Sequence, residues 1–574
     1  MKSYIKIFCL IISALMILPA CLISCSKSEP QNSDIEEFIT IISEGKSDYT
    51  LVRAEKANEM TVDAVVDLRR TFTEKFGAEP DIGSDWVKKG EKIPDRKEIL
   101  IGETNRPESI QVMEELLPDT FVVKVVNDKL VIAADSTAML INGIRYFIKE
   151  YIDTATDSIV MSTATTYVGN LENYRCVEKK TDGSTTLNLQ SFVATFDSKN
   201  QYKFLRPVAE VFEEKISDYG GILGVAEDKS VNKFEILFGK CDREDYVEPT
   251  NELLFRDFSL HVKNCTLSVN AISIYGYERA IRYLLECASK GDITIPENGI
   301  YSQYDYGVGD FAELRKNYEN PGLEGAWMVN VCHRGDVTSN LPENSLPAYQ
   351  SCLDNKIDVI ETDLKLTKDG VWVICHDQTL DRTTNMRGKI SDKTLKEVLS
   401  ASLKAKNGGQ NASVTKYKVP TLTEIIDLCK GKTLFNLDHL STGQFQAVYD
   451  VFEKKGAVDM AMFKASGWTA DQLSAWFCQL MLEDRELPLY SPLIYSNTET
   501  GLKDFSGLTS MVETAKDHTK EVNATALSHN MRLMCMTAGS PELENAQTWT
   551  ELKKLGYAAI MTDEPIRLQN FIHK

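Results

Sequence analysis

The chain has 574 residues, too many for one hydrophobic core, and a typical size of about 100 to 200 residues per domain suggests three or four domains. Its formal net charge of −20 argues against a nucleic-acid partner, because nucleic-acid phosphates require basic patches. An anionic ligand would therefore have to be captured by cations placed locally, against the overall field.

The first 24 residues predict a signal peptide. Lys2 and Lys6 precede an apolar run over residues 7–18, and Leu22-Ile-Ser-Cys25 resembles a bacterial lipobox. We expect export to the bacterial cell envelope, a lipid on Cys25 that anchors the protein to the membrane, and a flexible tether over residues 25–33. The alternatives are a plain signal peptide, a short membrane anchor, or cleavage before Cys21.

Ten cysteines follow Cys25 in the sequence. Export would permit disulfides, but Cys332 and Cys375 lie inside apolar runs and Cys429 lies in an amphipathic pattern, so most of the ten are predicted to be buried thiols. The pairing stays open. No C-x-x-C motif occurs, which argues against a structural zinc site.

Two segments of the front half repeat at a constant offset. Glu98-Ile-Leu-Ile-Gly102 matches Glu235-Ile-Leu-Phe-Gly239, and the strand pattern that starts at Phe121 recurs at Phe258, both 137 residues later (235 − 98 and 258 − 121). An offset kept over about fifty residues predicts two copies of one module. We assign copy 1 to residues 34–170 and copy 2 to residues 185–300.

Each copy reads as a helix, three strands and a closing helix, which predicts an α+β fold. The stretch Ile101-Gly-Glu-Thr-Asn-Arg106 resembles the small α+β domain that precedes the catalytic barrel in some glycoside hydrolases, and copy 2 departs from it at Lys240-Cys-Asp-Arg243. The resemblance implies spacer units or contact with glycans. Arg106, Arg145 and Arg282 could hold a ligand, or could simply pair and pack.

Residues 301–325 are predicted to be a linker, and strands alternate with helices through residues 326–574. This alternation predicts a TIM-like (β/α)8 barrel. Short apolar runs at residues 328–332, 358–360, 371–375 and 433–438 are typical of buried strands. Residues 377–420 are too long for a simple connection and are expected to overhang the mouth of the barrel.

Polar side chains follow these runs. His333 and Arg334 follow the first, Glu361 and Asp363 the second, and His376 the third. Because side chains alternate along a strand, Glu361 and Asp363 point the same way and can share one hard cation. The guanidinium of Arg334 suits a phosphate. The pattern predicts a phosphate site with a metal.

These residues belong to an ordered set of motifs, and the set resembles the glycerophosphodiester phosphodiesterase family over residues 325–574. The motifs are His333-Arg-Gly335, Pro342-Glu-Asn-Ser345, Glu361-x-Asp363, Thr367-Lys-Asp-Gly370, His376-Asp377, Arg382-Thr-Thr384 and Gly556-Tyr-Ala-Ala-Ile-Met-Thr-Asp-Glu-Pro565. An ordered set is far more specific than any one of its members.

The resemblance implies a Ca²⁺ or Mg²⁺ site on Glu361, Asp363 and Asp438. It also implies that His333 and His376 act as acid and base, in an order left open, while the neighbouring glycerol hydroxyl attacks and water opens the cyclic phosphate. The usual Glu-x-Lys is Asp438-His-Leu440 here, so Lys464 is expected to supply the missing cation to the phosphate.

Three points stay open at this stage. Glu343 is expected to be a second contact of the site or a helix N-terminal acid. His439 could coordinate the metal or face the neighbouring helix, and the second is favoured. A tryptophan that many family members carry is absent from Arg532-Leu-Met-Cys-Met-Thr537, which leaves the shape of the substrate in doubt.

We therefore expect metal-dependent hydrolysis of glycerophosphodiesters, or of related polyol or sugar phosphodiesters, at the cell envelope. The alternative is a catalytically weak surface lipoprotein that binds glycans or phospholipid headgroups. A glycosidase would need two further catalytic acids at barrel strand ends, and none stand out.

Overall fold

A computed structural model describes residues 37–573 except 118–119, 171–176, 230, 233, 292, 466, 495–497 and 515–519. The predicted signal peptide, Cys25 and the tether lie outside these residues. No helix in the described part of the chain is long and apolar enough to cross a membrane. The nine described cysteines form no disulfide, and seven are buried, as expected for thiols of a packed interior.

Copy 1 is an α+β unit of eleven helices and strands. Its helix α1 starts where the Asn58 side chain accepts a hydrogen bond from the Thr61 amide, and it stops at Gly77, whose φ of 70° suits glycine. The elements are β1 (Phe38–Ser43), β2 (Thr50–Arg53), α1 (Glu59–Phe76), β3 (Ile82–Ser84), β4 (Glu98–Ile101), α2 (Pro107–Glu115), β5 (Thr120–Val126), β6 (Lys129–Ala134), α3 (Thr137–Phe147), β7 (Ser158–Ser162) and β8 (Thr166–Asn170).

Copy 2 repeats the six-stranded sheet of copy 1, but residues 244–252, which correspond to helix α2 at the offset of 137, form no helix. Its elements are β9 (Val177–Lys179), β10 (Thr185–Leu187), β11 (Val193–Phe196), α4 (Leu205–Ile216), β12 (Gly224–Glu227), β13 (Glu235–Phe238), β14 (Phe258–Lys263), β15 (Thr266–Ala271), α5 (Ile274–Ser289), β16 (Ile293–Ile295) and β17 (Ile300–Ser302). The strand order is β3-β2-β4-β6-β5-β8 in copy 1 and β12-β11-β13-β15-β14-β17 in copy 2. These are the same six positions, so the predicted repeat of α+β modules is confirmed.

A buried ion pair recurs at the repeat offset. Arg106 lies 3.0 Å from Glu98, and Arg243 lies 2.7 Å from Glu235, with both pairs almost fully enclosed. Burial opposes ionisation of Glu98, yet the hydrogen bonds from Arg106 and its neighbours lower the pKa of Glu98. The ion pair with Glu98 therefore occupies Arg106 and stabilises the sheet.

The other two arginines proposed as ligand contacts also bind protein groups. Arg145 donates to the carbonyls of Gln190 and Ile222, which joins the two copies, and Arg282 pairs with Glu278 on its own helix. The ligand role considered for them has no support in these contacts.

The linker is structured. Strand β17 pairs with β14, and helix α6 (Asp310–Glu319) packs beneath the barrel, with Tyr318 buried and Arg315 3.3 Å from Asp459. The linker therefore fixes the second module to the base of the barrel.

The C-terminal part is a closed barrel. Its elements are β18 (Val329–Cys332), α7 (Leu346–Asp354), β19 (Val359–Leu366), β20 (Trp372–Ile374), α8 (Leu395–Ser400), α9 (Leu422–Cys429), β21 (Leu434–Asp438), α10 (Phe445–Lys454), β22 (Ala461–Ala465), α11 (Ala470–Leu482), β23 (Leu489–Ile494), α12 (Thr498–Asp504), β24 (Met511–Thr514), α13 (Lys520–Ser528), β25 (Arg532–Met536), α14 (Ala546–Leu555), β26 (Ala559–Thr562) and α15 (Pro565–Ile572).

Eight parallel strands run in the order β18-β26-β25-β24-β23-β22-β21-β19, and pairing of β18 with β19 closes the ring. The predicted (β/α)8 barrel is confirmed. The run at residues 371–375 forms β20, which pairs antiparallel with the outer end of β19 and is not one of the eight. His376 thus reaches the mouth by a returning hairpin.

Asp358 is a buried acid at the opposite, N-terminal end of the barrel. It accepts hydrogen bonds from the Trp327 indole and the Asn330 amide, and neither donor is charged. Burial therefore raises the pKa of Asp358 to about 7.

We predict that Asp358 lowers the stability of the barrel progressively as pH rises from about 4 to about 7. The folded-state pKa of Asp358 lies above the unfolded one, so the folded chain binds more protons in this window, and the stabilisation present below the unfolded pKa is lost as pH passes the folded one. The loss is roughly 4 kcal/mol. The difference in stability between Asp358→Asn and the parent chain should change by this amount over the same pH range. Urea unfolding followed by tryptophan fluorescence measures it, because five of the six tryptophans lie between residues 327 and 549 and report on the barrel. An equal slope in the variant would refute the assignment.

Candidate active site

The carboxyl ends of the barrel strands bring the predicted site residues to one mouth. His333 and Arg334 follow β18, Glu361 and Asp363 lie on β19, and Asp438 ends β21. Neighbouring strands carry Lys464 on β22 and Glu513 on β24. Loops at this end of a parallel barrel are where such enzymes assemble their sites.

His333 is oriented by a carboxylate. Its Nδ1 lies 2.7 Å from Oδ1 of Asp563, which follows β26 and also accepts the Gly539 amide. Burial works against the charge of Asp563, yet the hydrogen bond with His333 lowers the pKa of Asp563. Since Nδ1 is engaged, Nε2 is left for chemistry. Asp563 lies in the closing motif of the family resemblance, and no role was predicted for this residue.

His376 is held in the same way by a longer chain of contacts. Its Nδ1 lies 2.7 Å from Asp377, and Arg382 donates to both oxygens of Asp377 and to both oxygens of Glu343. The Arg382 hydrogen bonds hold the pKa of Asp377 well below its usual range. Glu343, predicted as a second contact of the site, thus supports His376 through Arg382 and Asp377.

Glu361 and Asp363 point to the same side of β19, as the alternation predicts, while Thr362 contacts Tyr349 on the other side. Oε2 of Glu361 accepts the Arg334 amide at 2.9 Å, and Oδ2 of Asp363 accepts the Asn344 amide group at 2.7 Å. Burial, and then the charges of Asp363 and Asp438, raise the pKa of Glu361 well above its ordinary value. The cluster of Glu361, Asp363 and Asp438 is therefore short of positive charge.

Lys464 bridges two carboxylates. Its Nζ lies 2.7 Å from Asp438 and 2.9 Å from Glu513, and Lys464 and Glu513 are 4% and 0% exposed. Burial alone would lower the pKa of Lys464, but the charges of Glu513 and Asp438 raise it. The predicted phosphate cation is therefore already paired. Glu513 was missed, although it sits in an apolar strand run like the acids that were found.

His439 faces the site. Its Nε2 lies 3.7 Å from Oδ1 of Asp363, and its ring centroid lies 4.4 Å from that of His376. The expectation that it faces the neighbouring helix is wrong, because φ is 59° at His439 and turns the chain back over the mouth. Burial lowers the pKa of His439.

A group that could hold a metal ion is present, and it shares only Asp363 with the predicted ligand set. Among the described residues, Asp363, His376 and His439 each offer one ligand atom, and these three atoms lie within 4.8 Å of one another. Oδ1 of Asp363 is buried and has no hydrogen-bond partner in that part of the chain. A buried carboxylate oxygen without a donor fits a bound cation. The ligand set of Glu361, Asp363 and Asp438 stays a prediction.

Three site residues have left-handed backbone conformations. Arg334, Asn344 and His439 have φ values of 61°, 52° and 59°. The Asn344 amide donates to the Arg334 carbonyl at 2.7 Å, which holds two of these turns together. Such conformations cost energy and persist where the surroundings enforce them, often at functional sites.

Comparison with known proteins agrees with this geometry. Residues 333–567 match the Glycerophosphoryl diester phosphodiesterase family. The family that the motifs resemble is therefore confirmed for this domain. A glycerophosphodiester phosphodiesterase of Caldanaerobacter subterraneus is 40% identical over 102 residues, 18% of this chain and 40% of that protein. One of Bacillus subtilis is 37% identical over 105 residues, 17% of this chain and 36% of that protein.

These alignments span about two fifths of the curated relatives' own lengths. Among solved structures, a glycerophosphoryl diester phosphodiesterase from Parabacteroides distasonis is 24% identical, with a TM-score of 0.39, and the match covers 46% of this chain and 92% of that one.

We predict that Lys464→Met destabilises the phosphodiesterase-family domain by about 3 to 5 kcal/mol, because Glu513 would be left buried without its cation. Lys464→Met/Glu513→Gln should regain part of the loss, since the buried charge is then removed. Lys503→Met, on an exposed lysine of the same barrel, should change stability by no more than about 0.5 kcal/mol. Urea unfolding measures all three, and a single variant as stable as the control would contradict the pairing.

Proposed function

We propose that this chain hydrolyses glycerophosphodiesters, or closely related polyol or sugar phosphodiesters, with the help of a divalent cation. The observation that carries the proposal is the pair of imidazoles at the barrel mouth, each with Nδ1 on a carboxylate and Nε2 left over, beside Arg334 and the buried Asp363. The family match over residues 333–567 supports it.

The two imidazoles carry the protons. One takes the proton of the attacking hydroxyl, and the other gives a proton to the leaving alkoxide as the phosphorus–oxygen bond breaks. Asp563 and Asp377 keep each ring in one orientation and in one tautomer, the role that carboxylate partners have in other acid–base sites. Arg334 offers planar donors for the non-bridging phosphate oxygens.

The cation, when bound, would offset the negative charge that builds on the phosphate. The unpartnered oxygen of Asp363 supports such a role, because it lies inside the cluster that is short of positive charge.

We also propose that the enzyme works at the bacterial cell envelope, anchored through Cys25. The support is the lipobox-like sequence at residues 22–25 and its charged and apolar flank. The two α+β modules would then separate the membrane from the barrel and could contact glycans there.

One observation favours the alternative, a surface protein that binds headgroups without efficient turnover. Lys464 is committed to Asp438 and Glu513, so the site keeps fewer free cations for an anionic substrate than the sequence predicts. The imidazoles of His333 and His376 favour the enzyme.

We predict that His333→Asn lowers the release of alcohol from glycerophosphocholine or glycerophosphoethanolamine by about 10² to 10⁴-fold, the usual contribution of one acid–base group. The change removes the proton-transfer nitrogen. His573→Asn, on an exposed histidine outside the mouth, is the control and should match the parent chain. Full-length protein is assayed with Ca²⁺, Mg²⁺, Mn²⁺ and Zn²⁺ in turn.

If the parent chain releases no alcohol with any of these ions but binds the headgroups, the binding alternative is correct. If it is active and His333→Asn is as active as the control, the acid–base assignment fails.

A further inference from the structure

The cluster at Asp363 has one feature that the family resemblance does not explain. Oδ1 of Asp363 is buried with no hydrogen-bond donor in the described residues, while its Oδ2 accepts from Asn344 and lies 3.4 Å from Arg334. An unsatisfied buried carboxylate oxygen is costly and calls for a positively charged partner.

The other two carboxylates that were expected to share a cation with Asp363 are engaged elsewhere. Oε2 of Glu361 accepts the Arg334 amide, and Oδ2 of Asp438 pairs with Lys464 at 2.7 Å. Oδ1 of Asp438 accepts the His439 amide. An all-carboxylate site would therefore place the cation close to the Lys464 ammonium, whose positive charge opposes a second cation there.

Imidazole nitrogens face the free Oδ1 of Asp363. The ring of His439 places Nε2 3.7 Å from Oδ1 of Asp363, and His376 offers a further ligand atom within 4.8 Å of both. No donor of His439 reaches the carboxylate at hydrogen-bond distance. The spacing instead leaves room for an ion between the two groups.

We propose that His439 is a ligand of the cation, which it shares with Asp363, so that this site takes an ion that accepts nitrogen. The inference rests on the proposed function in that the same cation would serve the hydrolysis. It gives His439 a role that the Glu-x-Lys motif does not assign to this position, and it places the ion beside His376.

The ligand chemistry predicts the class of ion. Ca²⁺ and Mg²⁺ bind through oxygen, whereas imidazole suits Zn²⁺, Co²⁺ and similar first-row ions. A mixed imidazole and carboxylate set should therefore prefer Zn²⁺ or Co²⁺ to Mg²⁺. A ligand set of carboxylates alone would give a much smaller preference.

The test uses Co²⁺ and Mg²⁺ as probes on the full-length protein. Calorimetric titration gives both affinities, and the visible absorption of bound Co²⁺ reports its ligands independently of activity. We expect Co²⁺ to bind at least about tenfold more tightly than Mg²⁺. We expect His439→Ala to weaken Co²⁺ binding at least tenfold and to change the Co²⁺ spectrum, since even partners that only support a metal ligand are worth about 10- to 100-fold.

His439→Asn is the second variant, because asparagine tolerates the left-handed backbone at this position and keeps the turn folded. It should also change the Co²⁺ spectrum. His573→Asn is the matched control and should keep the parent affinity and spectrum.

Unchanged Co²⁺ affinity and spectrum in both His439 variants, or tighter binding of Mg²⁺ than of Co²⁺ by the parent chain, would overturn the proposal. The two proposals fail separately. If the parent chain hydrolyses no phosphodiester but the His439 variants lose Co²⁺ binding, the proposed function is refuted and the role of His439 stands. If the parent chain hydrolyses the substrate and the variants bind Co²⁺ unchanged, the role of His439 is refuted and the function stands.

Discussion

The barrel mouth is organised by the need to balance buried negative charge. Glu343, Glu361, Asp363, Asp438 and Glu513 all lie there, and four of them are 0–2% exposed, where an isolated carboxylate would be strongly disfavoured. Lysine and arginine side chains meet most of this charge: Lys464 lies between two acids, and Arg382 and Arg334 neutralise others. Asp363 is left with a free oxygen, and that residual charge gives the site its capacity for a cation.

Much of this could be predicted from the sequence. Strand alternation placed Glu361 and Asp363 on one side, and the constant offset of the front half predicted two modules with one topology. Both arguments depend only on regular periodicity, which the backbone enforces wherever a strand forms. The ordered motifs then led to the family.

The errors have a common physical origin. His439 was misjudged because its orientation is set by backbone geometry that spacing does not encode, and the partners of Lys464 could not be predicted for the same reason. A left-handed residue after β21 turns His439 toward Asp363, and a missed acid on β24 competes for Lys464. Arg106 and Arg145 were ambiguous for the same reason, since an arginine near a strand end gives no sign of which carboxylate or carbonyl it will find.

Arg382 joins two loops that are 39 residues apart in the chain, through Glu343 on one side and Asp377 on the other. It precedes nearly all of the long excursion that returns to the barrel at α9. Residues 406–409 of that excursion return to this pair of contacts, because Arg382 also donates to the Asn407 carbonyl and the Gly409 amide donates to the Arg382 carbonyl. Changes at these residues would therefore reach the His376 ring through Arg382. A loop that changes for new leaving alcohols would have to keep this return of the chain over Arg382.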